Sequence, residues 1–326
     1  MDSVSQLLLG ASVTTAVMGR KARLWQSALV GAVCGTLPDL DVFIDHGDAI
    51  RNMTFHRTES HSLLFLTLIS PVLAWLIAGV LKAKAEFPRW WVAVWLALIT
   101  HPLLDLMTVY GTQLGLPFTD FPYAIGSMFI VDPLYTLPLL AGIVLALLLR
   151  GERGRRWNNR GLALSTGYLA WSMLAQAWVT HKVEASLAQQ GIVYEKLLVT
   201  PTALNTLVWR VVSVTDEAYR EGYYSLFSPS KPLETQRYPR DPALREQVRG
   251  DWYVERVAWF SQGVYNLRQQ KGDVQVIDLR MGEEPSYSFT FQLGPLPLDH
   301  QRHLPTQQAD SRPSLSTMWQ QFLQRL

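Results

Sequence analysis

Apolar residues run in long, nearly unbroken stretches as far as about residue 181; beyond it they come in short strings that alternate with polar ones. Three of the long stretches, residues 62–81, 88–107 and 161–181, reach the roughly 20 residues that a bilayer-spanning helix needs. Residues 133–149 make a fourth, slightly short, and residues 6–19 and 24–37 are shorter still. The pattern predicts an α-helical membrane bundle of about six segments over residues 1–181, followed by a small soluble α+β domain over residues 182–326. The first stretch does not read as a secretory signal. Asp2 precedes it with no basic residue, and the basic group at 20–23 follows it, the reverse of a signal's order.

In the second part, residues 207–214, 222–227, 274–279 and 286–292 have the β-branched and aromatic content or the two-residue alternation of strands. Residues 252–262 and 314–326 have helical spacing, and 228–240, with three prolines, reads as a loop.

Composition sharpens this division. Apolar residues make up 48% and charged residues 17% of the chain, against about 25% charged in soluble proteins. Residues 1–181 hold 13 of the 29 basic and 11 of the 27 acidic side chains, so charge is denser in the remainder. With six segments, Arg20, Lys21, Arg23, Lys82, Lys84, Arg89 and the arginines of 150–160 all fall in loops on one side. The positive-inside rule makes that side cytoplasmic and sends the C-terminal domain out of the cytoplasm. A net charge of +2 gives no general attraction to nucleic acid, and no nucleic-acid partner is expected. Cys34 is the single cysteine, so any metal must be held by histidines and carboxylates.

Candidate chemistry gathers at the opposite ends of these segments. Asp39 and Asp41 follow the second one, and His56, Arg57 and His61 precede the third, with Ser60 in position to cap its helix. His56 and His61 are five apart, about 140° around an ideal helix, so they converge only if a loop enters a helix there. His101 and Asp105, four apart, project from one helical face, and Asp132 returns the chain toward the membrane on the same side. Ionisable residues at membrane depth are costly and are functional candidates by default. Imidazoles and carboxylates without thiolates suit a divalent metal: Zn²⁺ foremost, with Mn²⁺ or Fe²⁺ as alternatives. Such a centre activates water and clamps a phosphoryl group, and Arg57 could hold the oxyanion. Each residue also has a plainer reading. His101 and Asp105 could share a packing hydrogen bond, Asp39 and Asp41 could shape a turn around Pro38, and Arg57 could pair with Glu59.

Three motifs, Gly35-x-x-Pro38-Asp39-x-Asp41, His56-Arg57-x-x-x-His61-Ser62 and His101-x-x-x-Asp105, resemble the signature of the YdjM-like (DUF457) family, bacterial membrane proteins described as metal-dependent hydrolases. Tyr110-Gly-Thr-Gln, Pro117-Phe118 and Val131-Asp-Pro133 are also similar to the family pattern, and the tail resembles the extra domain of its longer members. The resemblance implies an inner-membrane hydrolase with Asp39, His56, His61, His101 and Asp105 as metal ligands. Asp41 or Asp132 would be a base or second-site ligand, and Arg57 the anion holder. Its His-x-x-x-Asp pattern is similar to that of zinc-dependent phospholipase C and P1 nuclease enzymes, which implies a phosphoester substrate; a bilayer setting favours a lipid. Trp209 and Arg280 are expected in core packing and a salt bridge, or else at substrate. The alternative is a non-enzymatic metal-binding membrane protein, an envelope scaffold or a metal carrier.

Overall fold

In the computed structural model, which describes residues 1–229, 231–308 and 315–325, the long apolar runs become helices. They are α1 (Ser3–Met18), α2 (Leu24–Thr36), α4 (Leu63–Val80), α5 (Phe87–Leu106), α6 (Pro133–Leu149) and α7 (Gly151–Gln189), with a short α3 (Ala49–Phe55) between α2 and α4. They do not make six membrane spans. Among the described residues one helix, α4, is long and apolar enough to cross a membrane, with mean hydropathy 2.3 over 18 residues. α6 is apolar but has 17 residues. α1 and α2, with 16 and 13 residues, would reach about 24 and 20 Å, short of a hydrocarbon core of about 30 Å. α5 has the length, but Arg89, His101, Pro102 and Asp105 dilute its apolar character. α7 opens with Glu152, Arg153, Arg155 and Arg156. Assigning sides to the loops by charge required six crossings and does not survive in that form.

The chain divides into two compact units. The first comprises residues 1–43, 57–173 and 203–205; the second comprises 44–56, 174–202 and 206–326. In the first, two glycine seams set the helix packing. A Cβ on Gly10 of α1 would lie 2.1 Å from the Gly31 carbonyl oxygen of α2, and one on Gly35 would lie 2.7 Å from that of Gln6. The same close approach joins α6 to α7 at Gly142, Gly154 and Gly161. Small residues let backbones meet where tight packing must replace a hydrophobic driving force between helices. The connections α1–α2, α4–α5 and α6–α7 then meet at one end. There Arg20 pairs with Glu152 at 2.6 Å, Lys21 with Glu86 at 3.2 Å, and Arg155 donates to the Gly19 carbonyl.

The second unit holds two four-stranded antiparallel sheets. One is β1 (Lys196–Pro201), β2 (Val208–Val214), β3 (Ala218–Ser225) and β4 (Thr235–Pro239); the other is β5 (Tyr265–Gln270), β6 (Asp273–Glu283), β7 (Ser286–Pro295) and β8 (Thr306–Gln307). Every β2 residue is buried, because the strand has helix on one face and sheet on the other. Trp209 and Val211 pack with Val179 and Val183 of α7, while Val212 and Val214 meet Ile277 and Leu279 of β6. The proline-bearing stretch expected as a loop contains β4, whose prolines stand at its ends or outside it. α8 (Pro242–Gln247), α9 (Trp252–Phe260) and α10 (Leu315–Arg325) complete the unit; Ser314 and Leu326, the ends expected for the last helix, lie outside the described residues.

The short helix α3 belongs to this second unit. Asp48 caps it and accepts from the Tyr253 hydroxyl at 3.2 Å. Arg256 of α9 donates to Thr54 Oγ1 at 3.0 Å and lies over the rings of Phe55 and Trp259.

Candidate metal centre

At the end of the first unit opposite the basic turns, four side chains converge. α2 ends at Thr36, and Pro38 opens a 3-10 turn, Pro38–Phe43, that turns Asp39 and Asp41 inward and leaves Leu40, Val42 and Phe43 exposed. A second 3-10 turn, Glu59–His61, delivers His61 just before Ser62 caps α4. His101 and Asp105 project from the last turns of α5. His61, His101 and Asp105 are fully buried, and Asp39 is 19% exposed, at the mouth.

The ligand atoms all lie within 4.8 Å of one another. Nε2 of His101 is 3.1 Å from Nε2 of His61, 3.3 Å from Asp39 Oδ1 and 3.4 Å from Asp105 Oδ2. Nε2 of His61 is 3.6 Å from Asp39 Oδ1 and 3.2 Å from Asp105 Oδ2. A tetrahedral ion with bonds of about 2.1 Å requires its ligand atoms about 3.4 Å apart. The five separations bracket that value, so the four residues could hold a divalent ion.

The surroundings aim these atoms inward. The Gly35 carbonyl, one of the last in α2 and so without a helical partner, lies 2.7 Å from Nδ1 of His101. That nitrogen carries the proton, and Nε2 offers its lone pair to the centre. Asp105 divides its oxygens. Oδ1 accepts from Gln6 Nε2 at 3.1 Å and Arg57 Nη2 at 3.2 Å, and pairs with the Met1 amino group. Oδ2 is buried with no hydrogen bond and faces the two imidazoles. Burial pushes the Asp39 carboxyl up, but hydrogen bonds with His101 and His61 outweigh it and hold the group well below the usual carboxylate range.

Arg57 adopts φ 65°, with its amide donating to Asp41 Oδ2 at 2.9 Å and its carbonyl accepting from Gln113 N. Its buried guanidinium lies 4.8 Å over the Tyr110 ring, and neither Nε nor Nη1 has a hydrogen-bond partner. The expected Glu59 pairing is replaced by Asp105.

The other expected site residues are placed as follows. His56 follows α3 as its C-cap and falls in the second unit, so the four converging donors do not include it. Asp41 lies 3.5 Å from His61 Nδ1, behind the ring rather than at Nε2. Asp132 caps α6 through Leu134 N and accepts from the Tyr168 hydroxyl at 2.8 Å, and burial raises its carboxyl. Ser60, expected to cap the helix, sits inside the 3-10 turn, and Ser62 is the cap. Trp209 is buried in the core, and Arg280 forms a buried pair with Asp278. Gln6, the Gly35 carbonyl and Tyr110 are new to the site. A glutamine buried in an otherwise apolar run was a visible signal for the first; a backbone carbonyl gives none.

"Uncharacterized protein YfhP" of Bacillus subtilis (strain 168) is 24% identical over 234 residues, spanning 68% of this chain and 68% of that protein. No solved structure matches. The pattern of the YdjM inner membrane protein family matches residues 1–179, which contain all four converging donors. On that match, over more than half its length, the chain belongs to the YdjM inner membrane protein family.

Proposed function

We propose that the protein is a metal-dependent hydrolase of the inner membrane, acting on a phosphoester at the bilayer surface. The observation that carries this reading is the set of five donor separations between 3.1 and 3.6 Å around one point. His61, His101 and Asp105 are the fixed ligands, and two imidazoles with carboxylates favour zinc, with manganese or iron as alternatives. A bound ion would supply Lewis acidity and an activated water. The chain's own residues do the rest. Asp105 is held in place by Gln6 and Arg57, and the Nε and Nη1 protons of Arg57 are free to take an anionic oxygen. Asp39, at the mouth, is the ligand able to yield a position to substrate or to accept a proton.

The surroundings favour a lipid. The turn that carries Asp39 exposes Leu40, Val42 and Phe43, the last by 83%. The three basic turns lie at the far end of the helices, which under the positive-inside rule turns the site away from the cytoplasm.

One feature favours a second reading, a non-enzymatic metal-binding protein. Four protein donors close a tetrahedron, as in structural sites, whereas catalytic zinc keeps an open position. Metal content by mass spectrometry on detergent-purified protein tests the shared premise; hydrolysis of bis(p-nitrophenyl) phosphate and of phospholipid vesicles tests the enzyme. Stoichiometric metal with hydrolysis supports the hydrolase. Metal without hydrolysis moves the second reading to first place, and absence of metal after reconstitution overturns both.

A further inference from the structure

Ser60 lies between Asp41 and His61, whose facing atoms Oδ2 and Nδ1 are 3.5 Å apart and so at the outer limit of a direct hydrogen bond. Its Oγ is 2.6 Å from Asp41 Oδ2 and 2.8 Å from His61 Nδ1. A carboxylate oxygen only accepts, so the single hydroxyl proton of Ser60 goes to Asp41. The Oγ lone pair is then turned to His61, and it can only accept Nδ1–H. That places the proton of a neutral His61 on Nδ1 and leaves Nε2 with its lone pair, 3.2 Å from Asp105 Oδ2 and 3.6 Å from Asp39 Oδ1. Asp41 is itself fixed by the Arg57 amide. His101 reaches the same tautomer by another route, through the Gly35 carbonyl. The two histidines therefore present the same nitrogen from two unrelated supports.

We propose that Ser60 is a positioning residue of the metal centre, its hydroxyl relaying Asp41 to His61 so that Nε2 is the nitrogen offered to the ion. The inference rests on the metal-binding reading above. It makes Asp41 act at one remove from the ion, through Ser60, and it gives the serine a task that an alanine cannot perform and a threonine can.

The test is metal affinity of the full-length protein in detergent, by competition for Zn²⁺ with a chromogenic chelator, beside the visible absorption of the Co²⁺ form. Ser60→Ala is expected to bind one ion with affinity lowered about 10–100-fold, the usual cost of losing an outer-shell partner. Its Co²⁺ bands should shift, because His61 is no longer oriented. Ser60→Thr keeps the hydroxyl and is expected to restore both affinity and spectrum. If Ser60→Ala binds as tightly as wild type, or Ser60→Thr as weakly as Ser60→Ala, the relay is wrong although the metal centre stands. A purely structural role for Ser60 would lower the thermal midpoint of the metal-free protein and leave the Co²⁺ spectrum unmoved. A wild type that binds no ion overturns the relay together with the reading beneath it.

Discussion

The Nε2 atoms of His61 and His101 face one another at 3.1 Å, with the two rings inclined at 64°. Each ring is held from behind at Nδ1, so two lone pairs point into the same small space beside two carboxylates. A divalent ion placed there would meet two imidazole nitrogens and two carboxylate oxygens at once.

Unequal losses should therefore follow from removing the donors. His101→Ala and Asp105→Ala are expected to purify without stoichiometric metal, since each removes a buried donor. Asp39→Ala, which removes the donor at the mouth, is expected to retain an ion with lower affinity. Elemental mass spectrometry on the three variants checks this; equal loss in all three would show a closed structural site.

Acid should destabilise the metal-free protein through Asp39. Its carboxyl is held below the usual range, so the unfolded chain binds the proton more readily than the folded one. The resulting stability is present above the ordinary aspartate value of about 4 and drains away as the pH falls below it. Thermal midpoints between pH 6 and pH 3 should drop less steeply in Asp39→Asn than in wild type. Parallel curves would remove Asp39 as a source of this dependence.

The helix seam and the metal centre should fail together. A Cβ at Gly35 would lie 2.7 Å from the Gln6 carbonyl, and the Gly35 carbonyl is the one that orients His101. Gly35→Ala is expected to lose about 1–3 kcal/mol to overpacking and about tenfold or more in metal affinity. Gly79→Ala, with nothing within 4 Å of the added methyl, is the matched control and should change neither.

In the second unit, Glu221 is buried and pairs with Arg210 and the Tyr287 hydroxyl, while its other oxygen accepts from Glu284 N at 3.2 Å. Glu221→Ala strands a buried guanidinium, a loss of about 3–5 kcal/mol. Denaturant unfolding measures it. A change under 1 kcal/mol would mean that Arg210 finds another partner.

What the sequence made legible follows from local period. His101 and Asp105 meet because i and i+4 share a helix face, and β2 and β7 lie where β-branched content and alternation put them. Helix reach was harder to read. The runs behind α1 and α2 are apolar enough to suggest spans, yet Gly19 and Pro38 end them after 16 and 13 residues. The placement of His56, outside the four converging donors, was hidden for a related reason. The seven residues before it form a helix, and Arg57 then turns the chain with a positive φ, so the two histidines of one short motif fall in different units. Ser60 and the Gly35 carbonyl are invisible in the chain, since what they do is fixed by tertiary neighbours 19 and 66 residues away.

The segment of residues 44–56 connects Asp41 to Arg57, yet its packing partners, Tyr253 and Arg256, lie some two hundred residues further on. During synthesis, α3 must wait for the last third of the chain before its own packing surface exists. Assembly of this protein is thus a problem of return. The helix α3 is made early and packed late, so a chain truncated before Tyr253 should leave Ile50 and Met53 without the surface that buries them.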